Sequence, residues 1–157
     1  MPILTGPPAV FHASLPPLKA DAADPFKAPV TECLRVYFPA EQDEKAWTKD
    51  SWVASQSVAE GLGTMGMFSR FLRVRHMVGA NAVVSTGSNG GWSIEGHAHE
   101  NLGEGVEGKL FAAFGGWVSL QAHGEAVKTE DFGKIKEKLG AGAVGVRVFH
   151  VMFEEYK

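Results

Sequence analysis

Up to residue 29 the chain shows no repeating pattern of polar and apolar positions, and beyond it alternation and helical spacing take over. The stretch 31–38 is rich in β-branched and aromatic residues and stops at Pro39, which predicts a strand. Leu34, Val36 and Phe38 share one face of it, and Thr31, Cys33, Arg35 and Tyr37 the other. A charged turn over 41–45 precedes helical spacing over 49–62, with Trp52, Val58 and Leu62 apolar and Gly61 and Gly63 as the stop. Met67, Phe68, Phe71 and Leu72 fit a helix over 67–78, with a strand as the alternative. A short strand over 81–86 then runs into the glycine-rich 87–91, read as a hairpin turn, and a polar turn over 103–108 leads to a strand over 109–114. Residues 119–127 form a helical piece, and Thr129 opens a helix in which Phe132, Ile135 and Leu139 share a face and Gly140 is the stop. In the last strand, 146–154, Val146, Val148, His150 and Met152 alternate with Arg147, Phe149, Val151 and Phe153. Both sides are largely apolar, which predicts cover on both faces, one by this chain's helices and the other by a second copy's sheet.

One segment nearly repeats. Gly90-Gly91-Trp92-Ser93-Ile94-Glu95-Gly96-His97 recurs, with one residue inserted after the Trp, as Gly115-Gly116-Trp117-Val118-Ser119-Leu120-Gln121-Ala122-His123. Each copy predicts a strand that ends at a glycine corner, followed by a Ser that caps a first helical turn. His97 and His123 then sit four positions past their caps, where the helix dipole disfavours imidazolium and leaves a neutral ring able to accept a proton. The plainer alternative is two unrelated corners with Trp92 and Trp117 as core plugs. Under either reading the repeats mark strand ends.

All eight prolines lie at or before Pro39. Residues 1–29 are therefore an extended arm, and 30–157 form one domain with an insertion around 63–99. Val10-Phe11-His12 echoes Val148-Phe149-His150, a weak sign that the arm adds to a sheet edge. The single Cys33 excludes an internal disulfide, and Pro7, Pro8, Pro16 and Pro17 break any leader-like apolar run, so a cytoplasmic location is expected. No apolar stretch approaches the ~20 residues that span a bilayer. A net charge of −3 with both signs dispersed offers no basic face to nucleic acid. The expected partners are a small apolar or aromatic substrate and a second copy of the chain.

Strand, helix, strand, strand, helix, strand predicts an α+β, ferredoxin-like four-stranded antiparallel sheet with helices on one face, and burial of both faces suggests pairing as a dimeric α+β barrel. Val30-Thr31-Glu32, Gly116-Trp117-Val118-Ser119-Leu120-Gln121-Ala122-His123 and Phe149-His150-Val151-Met152-Phe153 resemble the fungal proteins of the antibiotic-biosynthesis-monooxygenase and stress-responsive A/B-barrel type, over roughly 30–156. The resemblance implies a menu of activities: oxygenases that work without metal or flavin, polyketide cyclases and decarboxylases. The insertion is longer than that family's minimal core. No His-Pro-x-His matches the acid-base pair of the plant polyketide cyclases, so that pair is not carried over.

Arg35 and Tyr37, ~6–7 Å apart along one face, suit a carboxylate or enolate oxygen and the passage of a proton, unless the strand is a wet edge. His150, between Val148 and Met152, is either a satisfied core residue or a base whose pKa burial lowers. Glu95, His97, His99 and Glu100 are ligands enough for a metal, but two rings two positions apart among Gly and Asn diverge, and no metal is expected. No phosphate loop, Gly-x-Ser-x-Gly elbow or Ser-His-Asp arrangement is present. Arg70, Arg73, Arg75 and His76 form a basic cluster that either draws an acidic substrate or is a solvated helix face. The reading that results is an enzyme without cofactor that cyclises, dehydrates or isomerises an aromatic or polyketide-like molecule. Tyr37, His150, His123 and His97 would be its acid-base groups, with Arg35 on an enolate and Trp92, Trp117 and Phe149 around the substrate. The alternatives are a monooxygenase without cofactor and a non-catalytic ligand-binding or stress-response dimer, the latter marked by an interior filled with Phe149, Met152 and Phe153.

Overall fold

A computed structural model of the chain describes residues 11–18, 23–55 and 85–152. The end of the expected 49–62 helix, the 67–78 segment with its basic cluster, most of the 81–86 strand and Phe153 lie outside the described residues. Five strands and three helices are described: β1 (Val30–Phe38), α1 (Glu44–Trp47, prolonged by a π-type turn Thr48–Val53), β2 (Ser85–Trp92), β3 (His97–Ala98), β4 (Glu107–Trp117), α2 (Leu120–Ala126), α3 (Glu130–Gly140) and β5 (Gly145–Val151). The sheet is antiparallel in the order β2-β4-β1-β5, with the short β3 paired to the start of β4. The four long strands have the order of a ferredoxin-like sheet, with β1 central rather than at an edge.

Caps set the helix starts. Asp43 accepts the amide of Ala46, which begins α1 five residues before the expected start at 49. Ser119 accepts the amide of Ala122 and Thr129 that of Phe132, as expected for α2 and α3. The first glycine–tryptophan repeat departs from its reading: Gly90 and Gly91 are inside β2, not in a hairpin turn, and no helix follows Trp92. Both repeats do close their strands, β2 at Trp92 and β4 at Trp117. Glycine in this strand serves close approach. A Cβ on Gly90 would press on the rings of Phe111 and Trp52, and one on Gly91 would overlap the carbonyl of Ser14 in the arm.

Alternation sorts β1 as expected. Its helix-side residues Val36 and Phe38 pack with Trp47, Phe111 and Ala113, ringed by Leu34, Trp52, Trp92 and Leu139. A smaller cluster joins Val30, Trp117, Ala126 and Phe132. Leu139 and Phe132, on one face of α3, thus reach both clusters. Each large side chain fully buried there contributes ~1.5–3 kcal/mol.

The opposite face is covered in part by the arm. Ala13 bridges Ser93 beyond the end of β2, with Ser14 N donating to Trp92 O and Ile94 N to His12 O. Asn89 Nδ2 donates to Pro16 O, Thr31 Oγ1 to Pro25 O, and the Phe26 ring tilts against Phe114. Thr31, Cys33 and Tyr37 are buried beneath this layer and the 97–102 segment. Cover for that face, assigned from sequence to a second copy, therefore comes partly from the chain itself. β5 also departs from expectation: Val146 and Val148 on the helix side and Phe149 on the other all remain exposed in the single chain.

Candidate functional site

β-strand alternation divides the sequence-derived site residues between two faces. Arg35, Tyr37 and Phe149 lie on the arm-covered face. Trp92, Trp117 and His150 lie on the helix side, where α2 brings His123.

On the arm-covered face, Arg35 of β1 stands directly opposite Arg147 of β5. The Arg35 guanidinium lies 4.7 Å from the ring centre of Phe11 and 5.1 Å from that of Phe149. Its Nε is buried and, among the described residues, makes no hydrogen bond. Arg147 rests over the Tyr37 ring at 5.9 Å and approaches Glu100 to 3.8 Å. Like charges directly across a strand pair repel, and two aromatic faces compensate a guanidinium only partly. Tyr37 is stacked on His99 with ring centres 4.6 Å apart, and His99 Nδ1 accepts the amide of Asn101.

His97 sits at the rim of this face, its ring edge-on to Phe11. Its Nε2 is 2.6 Å from Ser93 Oγ, and Ser93 donates to Glu95 Oε2 at 3.0 Å. If the serine proton goes to the carboxylate, the stronger acceptor, its lone pair takes Nε2–H of His97 and Nδ1 is left as the basic nitrogen. Burial pushes the His97 pKa below its ordinary value and the charge of Arg35 adds to this, against the opposing pull of Glu95. Glu95 is held down to about 2, first by the backbone N–H of His12 and then by the His12 ring. Serine, histidine and glutamate therefore meet here, a contact the sequence did not disclose. Glu95 engages the serine and His12 rather than the ring of His97, so no third group orients the imidazole as in a hydrolytic triad. Glu95, His97, His99 and Glu100 each have separate contacts and do not converge on a metal position.

On the helix side, Trp92 is a core residue: its Nε1 donates to Thr48 Oγ1 and its ring meets Phe38, Trp47 and Phe111. At the other end of the sheet, the rings of His123 and His150 meet edge to face with centres 4.6 Å apart, and a third residue, not singled out from the sequence, joins them. Glu32 of β1, in register with His150, places Oε1 3.4 Å from His123 Nε2, while its Oε2 accepts from Trp117 Nε1 at 3.0 Å. His123 Nε2 is buried, and the close Glu32 oxygen lacks the alignment of a hydrogen bond. Among the described residues, Glu32, His123 and His150 are a group of ligands able to hold a metal, with their donor atoms within 4.8 Å of one another. The sequence signal for Glu32 was present: alternation puts this carboxylate on the apolar side with Leu34 and Val36, where it needs a partner. An open groove lined by Glu44, Lys45, Thr48, Lys49, Val53 and Trp92 lies toward the opposite end of the sheet.

No family model, curated protein or solved structure matches this chain.

Proposed function

We propose that the protein is a small-molecule enzyme that holds an oxyanion of its substrate at Arg35 and moves a proton with His97, as one protomer of a sheet-paired α+β-barrel dimer. The observation that carries this reading is the Arg35 guanidinium, opposite a second arginine, with a buried Nε and, among the described residues, no carboxylate partner. A bound carboxylate or enolate oxygen would satisfy that nitrogen and offset the repulsion. A carbon acid bound there would give its proton to Nδ1 of His97. The C–H electron pair would become the double bond of an enolate, whose oxygen charge rests against Arg35. A neutral His97 suits the base, and the chemistry that follows is isomerisation, dehydration or cyclisation.

Phe11 and Phe149 both lie against Arg35, and this filling favours a second reading, a ligand-binding dimer without turnover. One experiment separates the two. Phenylpyruvate, which has a carboxylate beside an enolisable carbon, is followed by NMR in D2O for exchange of its methylene protons, and benzoate is titrated calorimetrically. Exchange at least tenfold above that with free imidazole at equal concentration, lost in Arg35→Met and His97→Gln, is expected, an acid-base group contributing ~10²-fold or more. Benzoate binding that depends on Arg35, without exchange, establishes the ligand-binding reading instead. Neither exchange nor Arg35-dependent binding overturns both.

A further inference from the structure

We infer that Glu32, His123 and His150 form a binding site for one divalent transition-metal ion on the helix side of the sheet. Three donors from three elements meet there: a carboxylate from β1, an imidazole from the opposite position of β5 and another from α2. None of the three hydrogen-bonds another. Two acceptor lone pairs at 3.4 Å repel unless a proton or a metal ion lies between them, and the pair lacks the alignment of a hydrogen bond.

The spacing fits a metal. Donors ~2.0–2.2 Å from an ion in tetrahedral geometry are about 3.3–3.6 Å apart, which the Glu32–His123 pair already meets. His150, exposed on the edge strand, is free to rotate the remaining distance from within 4.8 Å. Trp117 N–H fixes the second carboxylate oxygen, the outer support that ligating carboxylates ordinarily have. Trp117 and Phe132 close the inner side around His123, whereas His150 opens the outer side to solvent. Two imidazoles and one carboxylate suit zinc, cobalt or iron(II), and three protein ligands leave coordination positions for water or a ligand on the open side. This site shares no residue with the arm-covered face, so either proposal stands without the other.

The test uses the full-length chain stripped with chelator and titrated with Zn2+ by calorimetry and with Co2+ by visible absorption. One ion per chain is expected, with the d–d bands of a four- or five-coordinate site. His150→Gln and Glu32→Gln should each weaken Zn2+ binding at least tenfold, and Trp117→Phe should weaken it ~10-fold or more by releasing the carboxylate. Because His150 is exposed, its replacement leaves the fold intact, which circular dichroism verifies. His97→Gln and His12→Gln should leave binding unchanged. Absence of stoichiometric binding, or binding indifferent to His150→Gln or lost with His97, overturns the inference.

Discussion

Phe111 is 1% exposed and meets three tryptophan rings, Trp47 at 4.7 Å and Trp52 and Trp92 at 5.3 Å each. Few interior positions collapse less readily after truncation, because rigid indoles line the void on several sides. Phe111→Ala should cost ~3–5 kcal/mol, read from urea unfolding by tryptophan fluorescence, and a loss under ~1 kcal/mol would show the cluster repacks. Cys33 is buried on the opposite face, where burial raises its pKa and the charges of Arg35 and Glu32 act in opposite senses. At neutral pH it is a thiol shielded from solvent, not a nucleophile. Its reaction with a disulfide reagent should proceed at the rate of unfolding, accelerating with denaturant in step with loss of structure. Rapid labelling of the folded chain would contradict the burial.

The arm is held as an element by a few identifiable contacts, and two perturbations reach them separately. Gly91→Ala places a methyl against Ser14 O, so the arm should lift from the sheet while β2 keeps its pairing with β4. Limited proteolysis within 11–18 should then be at least tenfold faster. Acid acts through Glu95, whose folded-state pKa of about 2 lies below the usual carboxylate value of ~4.3. Its bonds to His12 contribute fully above ~pH 4.3 and are lost as the pH falls toward 2, so the arm should become cleavable across that window. Unchanged protection down to pH 2 would assign arm docking to other contacts. β1, α2, α3, most of β4 and most of β5 were legible because alternation, a Ser or Thr cap and a helical apolar stripe are local signals. The first repeat misled because Ser93 is engaged by His97 and Glu95, while Ile94, Gly96 and His97 are poor helix formers beside Leu120, Gln121 and Ala122. Of the groups in the two candidate sites, Arg35, His97, His123 and His150 were legible by residue type. The contacts of Phe11 and Arg147 were not, since strand register and the path of an unpatterned arm make them, and Glu32 was legible only as a carboxylate on an apolar face in need of a partner.

At the scale of the whole molecule, β5 carries the weight of the dimer argument. It is an edge strand of the described sheet, and Val146, Val148 and Phe149 are 48%, 49% and 40% exposed, with Met152 just beyond at 69%. An edge with apolar side chains on both faces and one charge, Arg147, is a surface that proteins ordinarily cover or break up. The arm covers only part of the face opposite the helices, so a second copy applied at β5 would shield residues that this chain alone leaves in water. Burial of each of these valine, phenylalanine and methionine side chains is worth ~1.5–3 kcal/mol at most, and the four together approach the cost of association. Phe149, on the face opposite the helices, is 40% exposed, so Phe149→Asp should leave the protomer folded and break only the contact between copies. Sedimentation of the unaltered chain at micromolar concentration should give twice the 16.8 kDa chain mass, and Phe149→Asp should give the single mass with an unchanged circular dichroism spectrum. A wild-type monomer at that concentration removes the dimer from the proposed function and leaves the Arg35 and Glu32–His123–His150 sites to be tested in one chain.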